Sequence, residues 1–147
     1  MSKAENHFND DSIIRILKST RTIAMVGASP STDRPSHGVM HYLQRAGYRV
    51  IPVNPTVEGT TILGEAVVPS LADIDEAFEM VNVFRRSDAL PELVDELEPM
   101  IDARAIRCLW LQLGVRHAAA ASKAQAAGLE VVMDRCLKVE HARLVGF

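Results

Sequence analysis

One stretch of the chain, residues 22–53, constrains the fold more than any other. It starts with a continuous apolar run, residues 22–26, that ends at Gly27, which is typical of a strand buried on both faces of a parallel sheet. A second apolar run, residues 48–53, follows a segment with helical periodicity. The order strand, glycine turn, helix, strand within about thirty residues is that of one βαβ unit. Because a helical crossover returns the chain in the same direction, we predict two parallel strands.

The helix of this unit is indicated by an apolar stripe on one helical face. The stripe consists of Val39, Met40 and Leu43. Ser36 is the predicted N-cap, because its hydroxyl can accept a hydrogen bond from a backbone N–H of the first turn. Gly47 stands where a helix commonly ends with a left-handed residue.

Helices and strands continue to alternate along the rest of the chain. Apolar residues at helical spacing predict a helix over residues 10–19, with Asp10 or Asp11 as its cap. Further predicted strands are residues 65–68, 80–84, 106–111 and 129–133. Further predicted helical segments are a turn at residues 71–74, a helix over about residues 87–100 capped by Ser87, and a helix at residues 115–127. This alternation predicts an α/β fold, an open and doubly wound parallel sheet of Rossmann-like type with helices on both faces.

Composition narrows the class of protein. With 147 residues, 48% hydrophobic and 24% charged, we expect a single domain over residues 1–147, with the N-terminal helix in residues 1–20. The net charge of −3 argues against nucleic-acid binding, and no apolar run approaches the roughly 20 residues that span a bilayer. The two cysteines, Cys108 and Cys136, are too few for a disulfide framework, and the start has no apolar signal segment, so we expect a cytoplasmic protein.

The turn after the first predicted strand is a candidate phosphate site. In doubly wound sheets ligands bind beyond the carboxyl ends of the strands, so function is sought in the turns. Residues 27–38 are mostly small, carry several hydroxyls and open a helix, whose dipole and backbone N–H groups would suit an anion. An ordinary Gly-Ser turn with a good N-cap is the alternative. The loop has neither the G-x-G-x-x-G nor the P-loop pattern.

The turns after two further strands refine the ligand class. Ordinary NAD binding needs a carboxylate at the end of the second strand to hold the adenosine ribose, and this chain has Asn54 and Pro55 there. Coenzyme A and NADP, which carry a phosphate on that ribose, would avoid repulsion by such a carboxylate. Arg85 and Arg86 follow a later strand, where two guanidinium groups can form paired hydrogen bonds to phosphate. A solvated arginine pair bonded to Asp88 or Glu92 is the alternative.

Together these segments resemble the small bacterial CoA-binding proteins, whose domain is similar to the N-terminal domain of the succinyl-CoA synthetase alpha subunit. The matching stretches are residues 26–30, 33–37, 47–55, 69–71, 83–87, 110–114 and 132–136. The resemblance implies a Rossmann-like fold that holds coenzyme A by the turns after three strands. The residues that it implies for ligand binding are Gly27, Ala28, Ser29, Pro30, Ser31, Arg34, Ser36, His37, Asn54, Pro55, Phe84, Arg85 and Arg86.

The chain departs from the synthetase-like pattern in two respects. A lysine follows the proline after the second strand in that pattern, whereas this chain has Thr56 and then Val57. One phosphate contact is therefore expected to be missing. The chain also has no counterpart of the synthetase's second domain, which supplies a phosphorylated histidine, so acyl-CoA ligase activity is not expected.

Candidates for chemistry in the sequence are weak. His37 and His41 have i, i+4 spacing but no evident third ligand, so we expect no metal, and His37 is expected to contact phosphate or to cap the helix. Cys136 has Arg135 and Lys138 as neighbours and would suit a mixed disulfide with the thiol of CoA, and a buried, inert cysteine is the alternative. No catalytic constellation is visible.

The leading hypothesis is therefore a protein that binds CoA or an acyl-CoA through its phosphates, without a reaction of its own. The runner-up is an NADP-dependent oxidoreductase or a nucleotide redox sensor on the same fold. A protein-interaction module with a vestigial site is the third class. The sequence leaves a homodimer or an unknown protein partner open.

Overall fold

A computed structural model describes residues 8–147, so the part of the predicted N-terminal segment in residues 1–7 lies outside the described residues. The strands of the main sheet are β1 (Thr22–Val26), β2 (Arg49–Val53), β5 (Met80–Val83), β6 (Cys108–Leu111) and β7 (Glu130–Val132). Two further short strands, β3 (Thr61–Ile62) and β4 (Glu65–Ala66), form an antiparallel hairpin. The helices are α1 (Asp10–Ser19), α2 (Pro35–Arg45), α3 (Leu90–Leu97), α4 (Ile101–Arg104), α5 (Ala118–Ala126) and α6 (Leu137–Leu144).

The main sheet is parallel throughout and has the order β2-β1-β5-β6-β7. A single parallel bridge adds Val68 beside Val53 at the outer side of β2. Two backbone hydrogen bonds of 3.0 Å fix it, from Asn54 N to the Val68 oxygen and from Val68 N to the Pro52 oxygen. The predicted strand at residues 65–68 is thus divided between the hairpin and this bridge. The doubly wound, Rossmann-like α/β fold is confirmed, and its strand order reverses between β1 and β5.

Helices cover both faces of the sheet, and the strands supply apolar side chains to each face in alternation. On one face, strand residues Ala24, Val81 and Leu109 pack with residues of α3 and α5 such as Leu90, Val94, Ala120 and Ala124. On the other face, strand residues Ile23, Met25, Met80 and Trp110 pack with residues of α1, α2 and α6 such as Leu17, Met40, Leu43 and Leu137. Burial on both faces explains why the strands read as continuous apolar runs.

The starts of α1 and α3 differ from the prediction. Asn9 caps α1, since its side chain accepts the Ser12 N–H at 2.9 Å, and the predicted caps Asp10 and Asp11 lie in the first turn. The predicted helix over residues 87–100 is divided into a 3-10 turn (Ser87–Ala89), α3, a second 3-10 turn (Glu98–Met100) and α4. Ser87 does not cap it; its hydroxyl oxygen instead accepts the Arg116 N–H at 2.9 Å.

Helix α6 has no counterpart in the sequence-based prediction. Buried polar residues occupy two of its inward positions, Glu140 and His141, so that the apolar stripe is interrupted. The Glu140 carboxylate accepts hydrogen bonds of 2.9 Å from Arg135 Nη1 and from Arg143 Nε. Arg143 Nη2 also donates to Asp10 Oδ1 at 2.9 Å, which ties α6 to α1.

Removal of the Glu140 charge is expected to destabilise this junction. The Arg143 guanidinium, and then Arg135, hold the pKa of the Glu140 carboxyl below its usual range. Because the pKa is lower in the folded chain, this stabilisation is complete above the unfolded pKa and is lost as the pH falls through the folded value. We expect Glu140→Gln to lower the free energy of unfolding by roughly 1–3 kcal/mol near neutral pH. Urea unfolding should show this difference shrinking well below about pH 4.

The exposed ion pair between Arg49 and Glu76 provides the control. Their Nε and Oε1 atoms are 2.8 Å apart, but about half of each side chain remains in solvent. Glu76→Gln should therefore change the free energy of unfolding by less than about 1 kcal/mol. A loss for Glu140→Gln that is the same in acid and at neutral pH would contradict the electrostatic explanation.

Candidate functional site

The turns after β1, β2 and β5 meet where the strand order reverses. Gly27 N donates to the Val53 oxygen at 2.9 Å, and Phe84 N donates to the Val26 oxygen at 2.8 Å. Gly27 has a φ of +87°, and a Cβ at this position would lie 2.3 Å from the Phe84 carbonyl oxygen. Only glycine allows the first turn to pass this close to the end of β5.

A cleft of about 770 Å³ opens above this crossing, between the three turns, residues 69–71 and α3. Ten of the residues predicted for ligand binding line it, namely Gly27, Ser29, Pro30, Arg34, Ser36, Asn54, Pro55, Phe84, Arg85 and Arg86. The other three lie outside its lining. Ala28 is buried in the core, Ser31 is exposed on the loop, and His37 is half-buried in the first turn of α2.

The amino terminus of α2 forms one side of the cleft. Arg34 occupies the N-cap position without a side-chain cap bond, and Pro35 is the first helical residue. The prediction that Ser36 caps the helix is wrong, because its buried hydroxyl lies inside the first turn and accepts the Ser29 N–H at 3.1 Å. Ser31 N in turn donates to Ser29 Oγ at 3.1 Å. These bonds shape the loop around the positive end of the helix dipole, which attracts anions.

The two arginines after β5 stand on the other side of the Gly27 turn. The Arg85 side chain runs along this turn, since its Cγ lies 3.2 Å from where a Gly27 Cβ would be. The Arg86 side chain is 88% exposed and its Nε lies 3.4 Å from Asp88 Oδ1. The pairing with Asp88 that the sequence left open is therefore present for Arg86. An ion pair this exposed contributes little and can exchange for a ligand.

Asn54, at the end of β2, connects two of the turns. Its Nδ2 donates to the Ala28 oxygen at 2.8 Å. Its Oδ1 accepts from Thr56 N at 3.0 Å and from Thr56 Oγ1 at 2.8 Å. Asn54 thus holds the first loop against the second turn, and its amide is already engaged by the protein.

Sequence reasoning did not assign Glu92 and Glu96 of α3 to the site, although both line the cleft. Burial raises the pKa of the Glu96 carboxyl. A hydrogen bond from the Leu71 backbone and the nearby charge of Arg85 lower it, but they offset the effect of burial only in part. Their i, i+4 spacing was a signal that one helical face carries two carboxylates. The sequence indicates Glu92 only as a partner of the arginine pair.

The remaining candidates for chemistry lie outside the cleft. Cys136 is half-buried at the N-cap of α6. Of its cationic neighbours in sequence, Arg135 bonds Glu140 at 2.9 Å and the Lys138 Nζ lies 5.8 Å from the centre of the Tyr42 ring. Within residues 8–147, no three histidine, cysteine or acidic side chains come together to hold a metal ion. None of the helices in the same range has the length and apolarity to cross a membrane.

Residues 21–142 match a family described as the CoA binding domain. The chain belongs to this family. The CoA-binding domain seen here is 42% identical to the protein YneT of Bacillus subtilis (strain 168) over 130 residues, which are 88% of this chain and 92% of YneT. The solved structure of a Pyrococcus horikoshii OT3 protein matches it at 35% identity with a TM-score of 0.87, covering 99% of this chain and 100% of that one. A Thermus thermophilus structure matches at 40% identity with a TM-score of 0.82, covering 93% and 99%.

Proposed function

We propose that the protein is a cytoplasmic binding protein for coenzyme A or an acyl-CoA, which it holds in the cleft through the diphosphate. One observation carries this proposal: the tight crossing at Gly27 brings the amino terminus of α2 and the Arg85 guanidinium to the same cleft. A helix terminus and a guanidinium are two of the groups by which proteins bind phosphate. Membership in the family of CoA-binding domains supports the choice of ligand.

The cleft suggests how the ligand lies. Its volume of about 770 Å³ is within the range of pockets that take nucleotide-sized ligands. In doubly wound folds the diphosphate lies at the first helix and the adenosine ribose lies at the end of the second strand. We therefore place the diphosphate between residues 27–36 and Arg85, and the adenosine beside residues 54–57. Apolar lining for the base comes from Val57, Pro69 and Leu93.

The lining also favours binding without chemistry. Among the described residues, those that line the cleft include no histidine, cysteine or lysine, and the charged ones are three arginines and two glutamates. We propose that the protein presents or senses its ligand, while another protein carries out any reaction.

Isothermal titration of the purified chain tests this function. We expect saturable heat with CoA and with acetyl-CoA, at one molecule per chain, and no comparable heat with NADP. Native mass spectrometry of the protein as purified should show a retained mass that corresponds to CoA or an acyl-CoA. Clear binding of NADP with no response to CoA or acetyl-CoA would instead favour a nicotinamide-dependent function.

A further inference from the structure

We propose that the cleft recognises the diphosphate of its ligand but not the phosphate on the adenosine ribose, so that dephospho-coenzyme A binds at least as tightly as coenzyme A. The inference rests on the proposed function and specifies which phosphates of the ligand contribute to affinity. Three features of the cleft support it: its charge balance, the contacts at the end of β2, and the acidic wall of α3.

The charge balance of the cleft offsets part of the charge of two phosphates and leaves nothing for a third. Its charged lining residues are Arg34, Arg85, Arg86, Glu92 and Glu96, which leave one net positive charge. A diphosphate carries about two negative charges, and a terminal ribose phosphate adds about 1.5 to 2 more near neutral pH. All three arginines belong to the turns after β1 and β5, where the diphosphate is placed. No cation of the described lining is left over for the ribose phosphate.

The end of β2, where the adenosine ribose lies in this fold, supplies no positive charge, and most of its side-chain donors are engaged within the protein. Residues 53–57 contain no lysine or arginine. One N–H of the Asn54 amide already donates to the Ala28 oxygen, and the Thr56 hydroxyl already donates to Asn54 Oδ1. In the segment that follows Val68, which pairs with Val53, the Ser70 hydroxyl donates to Asp73 Oδ2 at 2.8 Å. A dianionic phosphate here would lose water and find no cation, with one remaining Asn54 N–H as a side-chain donor, so its binding would be unfavourable.

The wall of α3 adds repulsion. Glu92 and Glu96 line the cleft, and Glu96 accepts a hydrogen bond from the Leu71 backbone, which lies in the segment facing the end of β2. Burial raises the pKa of the Glu96 carboxyl, and the nearby charge of Arg85 offsets part of that rise. Like charges in a partly enclosed cleft are screened less than on an open surface.

Titration of the full chain with CoA and with dephospho-CoA, in one buffer, tests the inference. We expect dissociation constants within about threefold of each other, with dephospho-CoA the tighter ligand at low salt. A preference of about tenfold or more for CoA would overturn the inference and leave the proposed function standing. Binding of neither ligand would overturn both.

Charge variants at the end of β2 and on α3 sharpen the test. Thr56→Lys should tighten CoA by about tenfold without changing the affinity for dephospho-CoA, since a lysine there would meet only the ribose phosphate. Thr56→Val controls for the lost hydroxyl. Glu92→Gln combined with Glu96→Gln should tighten CoA more than dephospho-CoA, and glutamine keeps an acceptor for the Leu71 N–H. Equal changes for the two ligands in both charge variants would overturn the inference.

The inference depends most on whether Arg34 contacts the diphosphate or the ribose phosphate. Arg34 lies at the N-cap of α2, and we assign it to the diphosphate. Arg34→Ala should therefore weaken CoA and dephospho-CoA by the same factor, which supports the inference. A loss confined to CoA would show that Arg34 reads the ribose phosphate, and would overturn it. Circular dichroism of each variant verifies that the fold is retained.

Discussion

Gly27→Ala is expected to lower the free energy of unfolding by about 3 kcal/mol or more, or to prevent folding. The added Cβ would lie 2.3 Å from the Phe84 carbonyl oxygen and 2.9 Å from its carbonyl carbon. Both are backbone atoms of the chain leaving β5, so relief requires a shift of the sheet's central crossing. The φ of +87° adds the ordinary cost of a left-handed backbone for a residue with a side chain.

Gly114→Ala is the matched control for this substitution. Gly114 has the same φ of +87°, but a Cβ there would meet nothing within 4 Å. Its loss should be limited to the backbone cost, about 1–2 kcal/mol. Urea unfolding of the two variants separates the steric contribution from the conformational one. Equal losses would mean that the contact with Phe84 relaxes easily and that the crossing is not tightly fixed.

Arg85→Ala is expected to weaken CoA binding by about tenfold to a hundredfold, because a hydrogen bond to a charged group contributes about 1.5–3 kcal/mol. Arg86→Ala should have a smaller effect, since that side chain is 88% exposed and lies near Asp88. The affinity of the unaltered protein should also fall with added salt, as expected for an anionic ligand. Titration calorimetry at two salt concentrations measures both effects.

Arg107→Ala provides the control for a general loss of positive charge. Arg107 is exposed and immediately precedes β6. It therefore lies at the amino-terminal ends of the strands, opposite the ends that carry the cleft. Its removal should leave the affinity for CoA within about twofold of the original. If Arg107→Ala weakened CoA as much as Arg85→Ala, the arginine after β5 would act only through the net charge of the protein.

The parallel sheet could be predicted from the sequence because burial on both faces leaves continuous apolar runs. The strand that the apolar run predicts over residues 22–26 has the same bounds as β1. Because parallel strands end at the same edge of a sheet, the turns after β1, β2 and β5 are expected to lie together. Most residues of the cleft could therefore be predicted from the sequence. The sequence supports such inferences where one local pattern determines one element.

The parts that were missed depend on contacts between distant residues. Helix α6 carries Glu140 and His141 at buried positions, and the partner Asp10 of its ion network lies 133 residues from Arg143. The two-residue strands of the β3–β4 hairpin are too short to show periodicity. Glu92 and Glu96 line the cleft from helix α3 and not from a turn at a strand end. The pattern of strand ends therefore does not indicate them.

The side chain of Asn54 helps to order the loop after β1, residues 27–36, before any ligand binds. Because its amide donates to the Ala28 carbonyl at 2.8 Å, the folded chain already holds the start of the loop to which we assign the diphosphate. The entropy lost in ordering that loop then belongs to folding and not to association. The binding site should therefore be preorganised, and a nucleotide should bind without a slow conformational step.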